Sequence, residues 1–212
     1  TVPDDHDYYD EDYTYAFQRE IRDVMAVIHG NAVLPEVRGK AHGTYVTDVS
    51  AFTIAWLLGR EWEPQGVTIT NQKHHETAFH GDFISVVEAT PMEVWLARQM
   101  EFTLTLETLR YSTQRPVSFV NWLPLDPMHH NSEFIENDKV REYDNDLESI
   151  DFRSFHTTPL ARAGLYAAYH AYPYYPDFVY LDARYRANTT DNYLPYIQDL
   201  KDHCPDMPLI IA

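Results

Sequence analysis

A single cysteine, Cys204, stands in a chain of 212 residues. One thiol cannot build an intrachain disulfide framework, and there is no cysteine cluster to hold a metal. Cations are scarce: 16 Lys and Arg face 33 Asp and Glu, for a formal net charge of −17. A phosphate backbone needs clustered Lys and Arg, so nucleic acid is excluded as a partner. No apolar run approaches the roughly 18 residues needed to cross a bilayer, so no membrane segment is expected. Neither a Gly-x-Gly-x-x-Gly pattern nor a phosphate loop occurs, which removes support for nucleotide-binding folds, and no cofactor is expected.

Aromatic residues, by contrast, are plentiful: 16 Tyr, 10 Phe and 4 Trp. Aromatic faces suit the apolar faces of sugar rings, but they serve a core or an interface equally well. Along the chain, the acidic, Tyr-rich residues 1–13 read as a loop. Ala16 to Ile28 reads as a helix, with Phe17, Ile21, Val24, Met25 and Ile28 on one face and Gly30 as a stop. Phe52 to Leu58 is a short apolar run that ends at Gly59-Arg60-Glu61-Trp62, as a strand buried on both faces would. A polar loop is expected up to Ala89. Thr90-Pro91-Met92-Glu93 then predicts a helix start with a capping box, and the helix should run to Tyr111.

Pro116 to Val120 reads as a second strand, Gly164 to Tyr169 as a third and Pro208 to Ile211 as a fourth. A helix is expected from Tyr193 to His203, and a long acidic loop from Leu123 to about Thr158. Strand, loop and helix alternate, which argues for a parallel α/β fold. Polar and aromatic residues cluster just after each strand, where barrel enzymes place their active sites. Residues 1 and 212 both read as artificial ends, so the chain is expected to be one fragment of a single domain.

Glu61 is the first candidate for chemistry. A glycosidic bond leaves poorly without protonation, and a carboxylic acid at the mouth of a sheet can supply the proton. The plainer alternative is a solvated Glu paired with Arg60; Glu63 is a rival for the catalytic role. Asn121 could bond a sugar hydroxyl and Trp122 could stack on a ring. His170, Tyr172, Tyr174 and Tyr175 could orient a carboxylate or contact a sugar. Each group could instead be strand-end packing. The pairs His74-His75 and His129-His130 invite a metal reading, but adjacent side chains rarely meet at one ion. They are expected to be solvated loop residues, with no metal site. The acidic residues Glu133, Glu136, Asp138, Glu142, Asp144, Asp146, Glu148 and Asp151 lack the spacing of a calcium loop and read as a solvated lid.

Four stretches carry a resemblance: Asp48-Val49-Ser50, Leu57 to Pro64, Arg115 to Trp122, and Tyr169 to Phe178. Together they resemble clan A glycoside hydrolases, and within them a bacterial group related to the β-galactosidase and cellulase branches, sometimes linked to family 2 glycosyltransferases. The resemblance implies a partial (β/α)8 TIM barrel covering strands four to seven of eight. It implies a retaining glycosidase or transglycosylase acting on a β-linked oligo- or polysaccharide, with a non-catalytic glycan-binding barrel beside a polysaccharide synthase as the alternative. Glu61 would be the acid/base. Arg60, Trp62, Asn121, Trp122, His170 and Tyr172 would line the substrate site. Arg60 stands where the clan has Asn. The nucleophilic Glu would follow Ala212 directly, so the fragment itself should lack double-displacement activity.

Overall fold

The computed structural model describes residues 6–130, 135–136, 139–140, 147–172, 182–186 and 193–212. In chain order the elements are α1 (Glu11–Ile28), β1 (Ala32–Leu34), β2 (Gly43–Tyr45), β3 (Trp56–Leu58), α2 (Pro64–Lys73), β4 (Phe79–His80), β5 (Ile84–Val86) and α3 (Pro91–Tyr111). There follow β6 (Val117–Trp122), β7 (Ile135–Glu136), β8 (Lys139–Val140), β9 (Phe155–Thr157), β10 (Ala167–His170), α4 (Ala183–Arg186), α5 (Tyr193–His203) and β11 (Leu209–Ile211).

The central sheet has four parallel strands in the order β11-β10-β6-β3. A strand is present in each of the four expected runs, and each lies beside its neighbour in chain order. The first is shorter than expected: Phe52 ends a 3-10 turn and is exposed, as is Ile54, and the remaining Trp56–Leu58 is an edge strand that is not buried on both faces. Right-handed crossovers, the hand such connections take, would set every helix on one face. β6 is central and all six of its residues are buried. β3 and β11 form the edges. A closed barrel is not formed by the described residues.

Register sorts the side chains. Trp56 pairs with Val117, Leu57 with Ser118 and Leu58 with Phe119; Asn121 pairs with Tyr169 and Trp122 with His170. Neighbours in register share a face, and successive residues alternate. The face carrying Phe119, Asn121 and Tyr169 is therefore the packed one: Phe119 stacks on Phe152 at 4.3 Å and Tyr169 meets the same ring edge-on at 5.5 Å. The opposite face carries Leu57, Ser118, Val120, Trp122, Ala168, His170 and Ile210.

Local chemistry explains the element ends. Thr90 Oγ1 accepts from Glu93 N at 3.3 Å while Glu93 Oε2 accepts from Thr90 N at 2.8 Å, the reciprocal box expected for α3. Glu93 also accepts from Asp151 N at 2.7 Å, so the cap pins the segment after β6 to α3. The helix ends where Ser112 turns left-handed at φ 53°. α1 begins five residues earlier than the periodicity suggests. Asp10 caps it by accepting from Tyr13 N at 2.9 Å, and Glu11 and Asp12 lie in its first turn, where carboxylates favour a helix N-terminus.

The polar stretch before Ala89 is not only loop. It holds α2 and the β4–β5 hairpin, which β9 extends into a second, antiparallel sheet. A buried ion pair ties the end of α3 to the segment before β3. Glu107, fully enclosed on α3, accepts from Arg115 N at 2.9 Å and from the Arg115 guanidinium, which also donates to the carbonyls of Thr53 at 2.8 Å and Ser50 at 2.5 Å. The entry to β3 is thus tied to the entry to β6. No helix among the described residues is long and apolar enough to cross a membrane.

Candidate active site

Gly59 ends β3 at φ +82°, where a side chain is strained, and a Cβ there would sit 2.1 Å from Cζ2 of Trp62. The turn therefore closes directly onto the Trp62 indole and aims the next residues in alternate directions. Trp62 is fully buried among Tyr8, Phe17 and Trp95. Its Nε1 donates to Val120 O at 2.7 Å, and Trp122 Nε1 donates to Trp62 O at 2.9 Å. These two bonds lock the end of β3 to the end of β6.

Glu61 is turned toward the face that carries His170. Tyr172 Oη donates to Glu61 Oε1 at 2.5 Å, and His170 Nδ1 lies 3.0 Å from the same oxygen. The Glu61 and His170 side chains keep 33% and 27% of their exposure, enough for a ligand to reach them. Both partners converge on Oε1. Among the described residues nothing is bonded to Oε2, so that oxygen is the one placed to exchange a proton with a bound molecule. Glu61 thus meets two residues more than a hundred positions away in sequence, at the C-terminal ends of β3 and β10.

Of the other expected site residues, Asn121, Trp62 and Arg60 lie elsewhere. Asn121 is on the packed face and fully buried; its Nδ2 donates to Ile150 O at 2.9 Å and its Oδ1 accepts from Trp122 N at 2.9 Å. With its amide committed to backbone groups, it supports the strand end and cannot bond a sugar in this arrangement. Trp62 is a strut and not a stacking surface. Arg60 and Trp62 line a different cleft of about 540 Å³ with Tyr13, Phe17 and Leu57, beside the open edge of β3. Arg60 is 55% exposed and lies 3.6 Å from Glu63. Trp122 shares the His170 face and is nearly buried. Tyr174 and Tyr175 lie outside the described residues, as does most of the acidic stretch.

No family model matches the chain, and comparison with curated proteins and with solved structures likewise gives no match. The reading of the site rests on its own geometry and on the motifs.

Two titratable clusters were not anticipated. Asp126, buried after β6, accepts from Tyr196 Oη at 2.5 Å and Met128 N at 2.8 Å, and its two oxygens lie 3.1 and 3.0 Å from His130 Nε2. Burial pushes its carboxyl up, against the pull of His130 and Tyr196. The cluster fastens the loop after β6 to α5. The i, i+4 spacing of Asp126 and His130 was the available signal. Asp151, His203 and Cys204 form the second cluster, with ligand-type atoms all within 4.8 Å of one another. The histidine pairs do split, as adjacent side chains should. His75 and His129 are exposed, but His74 and His130 are bonded to carboxylates rather than solvated: His74 Nε2 lies 3.1 Å from Asp7 and its ring stacks on Tyr9 at 4.1 Å.

Proposed function

We propose that this chain is part of a (β/α)8-barrel glycosidase or transglycosylase acting on a β-linked glycan, with the sheet supplying barrel strands four to seven. The observation that carries the reading is Glu61 at the C-terminal rim of a parallel sheet, with one oxygen held by His170 and Tyr172 and the other left for a ligand. Barrel enzymes assemble their sites at that rim from several strands. The strand order, each strand beside its predecessor, is what a segment of such a barrel requires. Leu57 and Ile210, on the inner face of the two edge strands, are 38% and 41% exposed, which suits a sheet continued by further strands.

In this reading a second carboxylate, not among the described residues, attacks the anomeric carbon as Glu61 Oε2 protonates the departing glycosidic oxygen; Glu61 then takes a proton from the water that displaces that carboxylate. His170 and Tyr172 hold the carboxyl plane still. Trp122 packs beneath the sugar on the same face.

A positioned general acid contributes about 10²–10⁴-fold, but only where the leaving group needs a proton. In the complete barrel, Glu61→Gln should therefore lower kcat/KM for alkyl β-glycosides by about 10²–10⁴-fold while largely sparing kcat/KM for aryl glycosides whose phenol leaves unaided. Equal loss on both would remove Glu61 from the acid/base role.

A second reading, a barrel that binds glycan beside a polysaccharide synthase without cleaving it, is favoured by one observation. Retaining chemistry needs two carboxylates about 5–5.5 Å apart. Among the described residues Glu61 is the only carboxylate in the hydrogen-bonded cluster. Glycan retardation in affinity electrophoresis, with no hydrolysis of any glycoside by the complete wild-type barrel, would decide for this second reading.

A further inference from the structure

We propose that Asp151, His203 and Cys204 form a site for a thiophilic divalent cation such as Zn²⁺, apart from the Glu61 cluster and independent of its function. Asp151 precedes β9, whereas His203 and Cys204 close α5, so the ion would tie the segment after β6 to the last helix. The three ligand-type atoms lie within 4.8 Å of one another, and His203 Nε2 stands 3.0 Å from Asp151 Oδ2. Ligand atoms around a tetrahedral zinc are roughly 3.3–3.8 Å apart, given bonds of about 2.0–2.3 Å. Side-chain movement of about an ångström closes the trio around an ion. A cleft of about 510 Å³, lined by His156, His203, Cys204 and Asp206 among others, leads to it and leaves a fourth position for solvent or a ligand.

The carboxylate already faces a cation. Arg153 donates to Asp151 Oδ2 from Nε at 2.9 Å and from Nη2 at 2.7 Å. That guanidinium is 60% exposed and can turn into solvent, so it marks the cation's seat and competes for it. The backbone of Asp151 is fixed independently, by Asp151 N donating to Glu93. On binding, a metal–sulfur bond forms, the S–H bond of Cys204 breaks and its proton passes to solvent. His203 offers the lone pair of one ring nitrogen and keeps its proton on the other. No electron is transferred.

Cys204 is the only cysteine of the chain, which makes the test specific. Purified protein is titrated with Co²⁺ and the thiolate-to-cobalt charge-transfer band is followed in the near ultraviolet. The band should saturate at one equivalent, disappear on adding Zn²⁺ and be absent from Cys204→Ser, with far-ultraviolet circular dichroism confirming that the variant is folded. Arg153→Ala should bind about two- to fivefold more tightly, because it removes the competing exposed cation from the carboxylate. No band in either the wild type or Arg153→Ala would overturn the proposal. So would stoichiometric Zn²⁺ binding that survives Cys204→Ser, since the ion would then sit on other histidines.

Discussion

Glu107→Ala tests how the sheet holds its rim. Glu107 has no exposed side-chain surface and Arg115 only 11%. The substitution leaves the guanidinium buried with two carbonyls and no counter-charge, and it also orphans Arg115 N. Breaking a buried pair from one side costs about 3–5 kcal/mol. Against a total of about 5–15 kcal/mol for a domain, that is a large share. At this chain length each kcal/mol moves the midpoint by about 2–4 °C, so the melting temperature should fall by roughly 6–20 °C. The assay is thermal and urea unfolding followed by far-ultraviolet circular dichroism. Glu107→Leu combined with Arg115→Met strands no charge and should be roughly 1–3 kcal/mol more stable than the single variant, although it loses the bonds to Ser50 and Thr53. A single variant melting within about 2 °C of wild type, or a double variant less stable than the single, would refute the reasoning.

Gly59→Ala forces a side chain onto a left-handed residue and into the buried Trp62 indole; a loss of about 2–4 kcal/mol is expected in urea unfolding, and a wild-type midpoint would show that the turn is not so constrained. Burial pushes the Cys204 thiol up to about 11. Compared with a free thiol, its thiolate share at pH 8 falls on the order of a hundredfold, so alkylation in the presence of chelator should be markedly slower than in the urea-unfolded chain, and matching rates would refute it. The Arg184 guanidinium, bonded at 2.6 and 3.0 Å, holds the Asp182 carboxyl below the usual range. Its contribution to stability is present above about pH 3.9, the unfolded value, and is lost as pH falls through the lower folded value. Asp182→Asn should flatten the acid limb of the stability curve, and an unchanged limb would exclude this pair as its source.

Short-range chemistry accounts for what was legible in advance. Thr90-Pro91-Met92-Glu93 specifies a capped helix start because both hydrogen bonds are made within four residues. The four apolar runs mark the strands because short apolar segments seek a sheet, but only β6 and β10 lie inside it; β3 and β11 are edges, with Leu57 and Ile210 exposed. Glu61, His170 and Tyr172 could be named because they follow such runs. The antiparallel β4–β5–β9 sheet could not be read, because its strands are only two or three residues long and β9 joins the β4–β5 hairpin from far along the chain. α2 was hidden by its polar composition, with Pro64 as the one cue.

The sequence by itself determined which segments form the parallel sheet and that polar chemistry gathers at its C-terminal ends. Only the tertiary structure decided which of those residues share a site. Neighbours in sequence point to opposite faces of a strand, so Asn121 is turned into the packing while Trp122 faces His170. Gly59 closing onto Trp62 sends Glu61 and its two flanking residues to different sides. The pairing of Asp151 with His203, and of Asp126 with Tyr196, depends on where α5 docks. That placement is set by packing between distant elements, which no local pattern records.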